Sequence, residues 1–135
     1  MGKLILLGQR AKELLLKIDL AEGTRITVKT TFSLEVNFSD EDKMCYAQLA
    51  CDNVWEEHPE LFHISATIIG EFQCEDVVSI DDKKKAHVEA YYQLFPFMQA
   101  QIMRLTTDAG VPPLIIRRDD MDPEGVELQE EEGSK

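Results

Sequence analysis

The chain has a single tryptophan and only three cysteines. Cys45, Cys51 and Cys74 are odd in number and form no C-x-x-C pair, which disfavours a disulfide framework and predicts reduced, buried thiols in a reducing compartment. Basic residues are scarce: 14 Lys and Arg stand against 26 Asp and Glu, a formal net charge of −12. Nucleic acid and anionic membrane surfaces want basic patches, so neither is expected as a partner. Long apolar runs are missing too. Leu4 to Leu7 is followed closely by Gln9, Arg10, Lys12 and Glu13, too short a run for a signal core or a membrane-inserting helix. G-x-S-x-G, P-loop and G-x-G-x-x-G motifs are all lacking, and no cofactor is expected. These absences describe an acidic, cytoplasmic protein.

What is present suits one domain, since 135 residues with 44% hydrophobic content are enough for a core. "ITVKTTFSLEVNF" alternates: Ile26, Val28, Thr30, Phe32, Leu34, Val36 and Phe38 point one way and polar residues the other. That pattern predicts a half-buried strand. After the polar turn Ser39–Lys43, Cys45, Ala47, Leu49 and Cys51 share a face. Past Pro59, Phe62, Ile64, Ala66, Ile68, Gly70, Phe72 and Cys74 do the same. Gly70 marks a bulge or a close approach. Upstream, "ELLLKIDL" puts Leu14, Leu16, Ile18 and Leu20 in step before a turn at Glu22-Gly23-Thr24. Four strands joined largely by short polar connections predict an antiparallel sheet with one apolar face.

From Asp82 to Ala109 the period becomes helical, with Asp81 and Asp82 placed as cap and first-turn acids. Val88, Tyr91, Phe95, Ile102 and Leu105 form one stripe; Leu94, Phe97, Met98 and Met103 fall outside it. Pro96 predicts a kink or a second helix start. Gly110 ends the helix, and Pro112 and Pro113 keep it from resuming. A single domain is expected over residues 1–120, and the acidic segment 121–135 is expected to be a disordered tail.

The chemistry-bearing residues do not converge. His58, His63 and His87 lack metal-motif spacing, and His63 faces away from Cys74 on its strand. The cysteines alternate into the core, which argues against a Cys–His nucleophile. "DDMDPEGVELQEEE" lacks calcium-loop spacing. Tyr91, Tyr92, Phe95, Phe97 and Trp55 could each serve core, ligand pocket or partner surface. Together they exceed what one helix stripe needs, so a second apolar helix face is expected to meet another subunit or a client chain.

The order of four strands, then "LFPFMQAQIMRL", then Gly110 and Pro112-Pro113-Leu114 resembles the SecB family of export chaperones. A Leu-Phe-Pro-aromatic element opens the family's long helix, an apolar residue follows six positions after the proline, as Ile102 does, and a Gly-x-Phe precedes it, as in Gly70-Glu71-Phe72. The resemblance covers roughly Gln9 to Asp120. It implies an α+β fold in which a Pro-interrupted helix and a short C-terminal segment follow the sheet. It further implies a noncatalytic, ATP-independent holdase for unfolded polypeptides, in protein export or for one dedicated partner such as an antitoxin. A homotetramer built as a dimer of dimers is implied as well. Trp55, Phe62, Tyr92 and Phe97 are then expected to line the client surface, with closure of the core's end the alternative for Trp55 and, more so, for Phe62; Tyr91, Met98, Ile102 and Met103 are expected at the subunit interface. Glu56, Glu57 and Glu60 would favour basic clients. Export members dock on SecA through acidic groups. Glu13 falls near one such place, but Lys17, His63 and Ser65 stand where further acidic or apolar groups belong, which weakens the case for SecA as a partner.

Overall fold

The computed structural model describes residues 3–39, 43–75, 77, 79–112 and 114–116; the expected tail over 121–135 lies outside them. Strands β1 (Lys3–Ile18), β2 (Lys29–Phe38), β3 (Met44–Val54) and β4 (Phe62–Glu75) precede one helix, α1 (Ile80–Asp108). The strands form one antiparallel sheet in the order β1-β4-β3-β2. The α+β architecture expected from the alternation is therefore present. The β1–β2 connection must carry the chain from one edge of the sheet to the other. Leu20, Ile26 and Val28 pack on the core along the way.

Strand β1 is longer than "ELLLKIDL" suggested, because it also takes in the Leu4–Leu7 run. Its register against β4 shifts twice, between Leu6 and Gly8 and between Ala11 and Glu13. Each extra residue flips the side-chain alternation. Leu4 and Leu6 pair with the inward Cys74 and Phe72. After one shift Gln9 and Ala11 take the inward register, and after the second Leu14, Leu16 and Ile18 recover it. A simple period of two therefore cannot be followed along the strand.

The inward positions of β2, β3 and β4 follow the sequence pattern. Leu34, Val36, Cys45, Ala47, Leu49, Cys51, Phe62, Ile64, Ala66, Ile68, Phe72 and Cys74 are buried in one cluster, with Phe32 and Phe38 half-buried against it. Asn53 is the polar exception. It donates through Nδ2 to the Ile64 carbonyl at 3.1 Å and accepts from Thr30 Oγ1 at 2.7 Å. These bonds satisfy a buried amide that would otherwise cost about 1–3 kcal/mol. Gly70 is a close approach rather than a bulge in its own strand. A Cβ built there would lie 2.6 Å from Leu94 Cδ2 and 3.0 Å from Phe72 Cε1.

Helix α1 starts two residues earlier than the acids suggested. Ser79 is the N-cap, accepting from the Asp82 amide at 3.0 Å, and the Asp82 carboxylate accepts from the Ser79 amide at 3.3 Å. This reciprocal box makes Ser79 the cap in place of Asp81, and both Asp81 and Asp82 are first-turn acids. One helix runs through Pro96, which lies on the exposed side, so no second helix starts there. The buried face contains Ala86, His87, Ala90, Tyr91, Leu94, Phe95, Met98, Ile102 and Thr106. Leu94 and Met98, expected outside the stripe, are in the core. They follow Tyr91 and Phe95 by three positions, and a helix crossing a broad sheet buries a wide arc, not a single line. Gly110, at φ 75°, turns the chain so that Leu114 and Ile116 return beside the helix.

His87 introduces a pH dependence. Its side chain is 1% exposed, and among the described residues neither ring nitrogen has a hydrogen-bond partner. Burial holds its pKa below the ordinary value of 6.5. The unfolded chain takes up a proton on this ring at a higher pH than the fold does. Its contribution is therefore fully present above about pH 6.5 and is lost as pH falls from there toward the folded value. Chemical denaturation from pH 7.5 to 5 should show the wild type losing stability relative to His87→Leu. Parallel curves would show that His87 carries no part of the acid sensitivity.

Candidate functional site

The residues singled out from the sequence separate into two populations. Tyr91, Met98 and Ile102, expected at a subunit interface, are 0% exposed within the single chain. Their contacts are taken up by the chain's own sheet, so they offer no surface to a second copy in this arrangement. Phe62, expected to face a client, is 6% exposed at the start of β4 and belongs to the core. Tyr92, Phe97 and Met103 are exposed, as a second helix face requires. They do not form one stripe. Tyr92 and Met103, about three turns apart, share one flank of α1, and Phe97 lies on the other.

On the flank of Tyr92 an aromatic group ties the helix to β2. Phe32 meets Tyr91 edge-on at 6.4 Å between centroids and Phe95 at 6.2 Å; Tyr91 meets Tyr92 at 5.7 Å. Tyr92 is thus the exposed end of a buried aromatic series. On the opposite flank Gln93 Nε2 donates to the Leu4 carbonyl of β1 at 3.1 Å. Beyond the helix, β1 carries Leu14 and Leu16, 46% and 38% exposed although they pair with the buried Ala66 and Ile64. They lie on the helix side of the sheet but at its edge, where α1 covers them only in part. Sequence reasoning placed these two leucines in the sheet's apolar face and missed their exposure, because alternation gives the face of a strand and not its place in the sheet.

Trp55 stands where β3 ends. Its amide donates to the Phe62 carbonyl at 3.1 Å, and its carbonyl accepts from the His58 amide at 2.9 Å. Its ring packs on the core and meets the His58 ring at 4.8 Å. The acids of this connection are partly answered locally: Glu56 by Lys29 at 3.2 Å and Glu60 by His58 at 3.5 Å. All these groups are well exposed, so each pair contributes little to stability. Lys29 softens the negative charge beside Trp55.

Among the described residues the uncovered sheet face bears a close ionisable pair, His63 Nε2 with Asp52 Oδ1 at 2.6 Å. Lys17 is in register with His63 on this face. Burial, with Cys74 alongside, pushes the Cys45 thiol far above the usual thiol range, so it cannot supply a thiolate near neutral pH. Among the described residues no three His, Cys, Asp or Glu side chains converge to hold a metal ion, and no helix is long and apolar enough to cross a membrane. Large apolar side chains set around a helix on a sheet can bind other apolar groups.

No protein-family model matches the chain, and no curated protein matches it in sequence. The likeness lies in structure, and the fold is that of a SecB-like chaperone. The SecB-like chaperone Rv1957 of Mycobacterium tuberculosis, solved in complex with a ChAD peptide from an antitoxin, superposes with a TM-score of 0.67 at 12% identity. The match covers 84% of this chain and 86% of that one. A protein of unknown function from Streptococcus agalactiae superposes with a TM-score of 0.48 at 14% identity, covering 87% and 98% of the two chains.

The two methionines of the helix provide a direct check on this geometry. Met98 is fully buried and Met103 is 38% exposed. Met98→Glu should place a charge in the core and destabilise the chain by upwards of about 4 kcal/mol. Met103→Glu, at a dilution that keeps the chain monomeric, should change stability by no more than about 0.5 kcal/mol. Denaturation midpoints of the two variants measure the contrast; similar losses would mean that α1 is rotated from the orientation described.

Proposed function

We propose that the chain is a noncatalytic, ATP-independent holdase that binds non-native polypeptides through the apolar surface around α1. The observation that carries this reading is the set of large side chains left exposed on the helix side: Leu14, Leu16, Tyr92, Phe97 and Met103, each 38–46% exposed. The flexible thioether of Met103 and the amphipathic ring of Tyr92 suit contact with varied partners. Likeness of fold to a SecB-like chaperone solved with a bound peptide supports the same reading. Trp55, Tyr92 and Phe97 are the proposed client contacts, with Leu14 and Leu16 added. Met103 is the remaining helix residue proposed for contact between copies in a homo-oligomer. Cytoplasmic action is proposed with it.

The fold's likeness to a chaperone carrying an antitoxin peptide also favours a second reading, the same surface tuned to one dedicated partner. General export through SecA has less support, because Lys17 and the Asp52-paired His63 lie together on the uncovered sheet face. Light scattering distinguishes the readings. Two unrelated proteins are unfolded separately, with this chain present and nucleotide absent. A holdase suppresses aggregation of both at near-stoichiometric ratios. Protection of one protein alone identifies the dedicated module, and protection of neither rejects client binding.

A further inference from the structure

Helix α1 holds the segment that follows it much as a receptor holds a peptide. Past Gly110 the chain reverses, and Leu114 to Ile116 lie beside the helix outside any strand or helix. Polar side chains of α1 read the segment's main chain. The Leu114 amide donates to Thr106 Oγ1 at 3.2 Å, and Gln99 Nε2 donates to the Ile116 carbonyl at 3.0 Å. The segment's own side chains alternate: Leu114 packs against the core, Ile115 is 62% exposed and Ile116 is 1% exposed. Main-chain hydrogen bonds are available from any sequence, and alternate aliphatic positions are a common feature of extended chains.

We propose that the flank of α1 between Gln99 and Thr106 is a receptor for an extended aliphatic strand of another polypeptide, with residues 114–116 as its resident occupant. An incoming strand with branched aliphatic residues two positions apart reproduces both hydrogen bonds and fills the seat of Ile116. Until it arrives, the chain's own segment keeps that seat out of water. The partner's identity rests on the client-binding reading above; the existence of the site does not. Occupancy by the resident segment lowers the affinity of the incoming strand by the fraction of time the seat is free.

Two measurements on the full chain test this. In the unmodified chain, amide hydrogen exchange at Leu114 is followed while reduced, carboxymethylated lactalbumin, a permanently unfolded protein, is added. Exchange should accelerate several-fold as the lactalbumin binds; binding that leaves Leu114 equally protected overturns the displacement. In the second, a fluorescent synthetic peptide spanning residues 112–118 is titrated into the unmodified chain and into Ile116→Ser. The variant should bind it about tenfold more tightly, since its own segment no longer fills the seat. Equal weak binding to both overturns the site. If Ile116→Ser does not fold, Ile116→Val should give a gain of about threefold in the same direction. Peptide binding by the variant, with lactalbumin bound by neither chain, upholds the site and rejects the client-binding reading.

Discussion

Leu94 rests on bare backbone. With a side chain at Gly70, a Cβ would meet Leu94 Cδ2 at 2.6 Å, so the glycine sets how closely α1 can lie on β4. Leu94, Tyr91, Met98 and Ile102 are all 0% exposed, and that degree of burial requires this close seat. At about 1.5–3 kcal/mol for each large side chain removed from water, these four residues dominate the attachment of helix to sheet. The proposed client surface depends on the same contact. Only when α1 is held in place are Tyr92 and Phe97 presented on its flanks while Leu14 and Leu16 remain at the edge. A looser helix would expose its inner face instead, and the proposed surface would no longer be defined.

The sequence made three of the four strands legible, because within each of β2, β3 and β4 the apolar inward residues alternate with outward ones and are buried in one cluster. Strand β1 was only partly legible. Its two register shifts reverse the alternation twice, and the strand order that places it at the sheet's edge comes from tertiary pairing. The helix was evident, but its inner face was drawn too narrowly. Leu94 and Met98 join it because α1 crosses the sheet with a broad arc buried. The opening cap at Ser79 was obscured by the stronger acidic signal of Asp81 and Asp82.

The candidate site followed the same division. Tyr92, Phe97 and Met103 are exposed on α1, whereas Phe62 belongs to the core and Tyr91, Met98 and Ile102 are consumed within the chain. Side-chain spacing identified which residues are apolar in excess, but the exposed ones could not be told from the buried ones without the helix's rotation about its axis. Exposure of Leu14 and Leu16 could not be read at all, since it arises from where the helix stops covering the sheet. The surface that results is apolar and spread over separate elements. Of its acids near Trp55, Glu56 is matched by Lys29. Such a surface favours weak, distributed contact with an exposed apolar chain over precise recognition of a folded one.

That preference is a thermodynamic statement, and calorimetry addresses it directly. One protein, offered in its permanently unfolded and its native forms, is titrated into this chain at several temperatures and two salt concentrations. The account predicts that the unfolded form alone binds, with a clearly negative heat-capacity change from apolar burial and only a modest response to salt. Equal binding of the native form would contradict it. So would a heat-capacity change near zero with affinity that collapses as salt is raised.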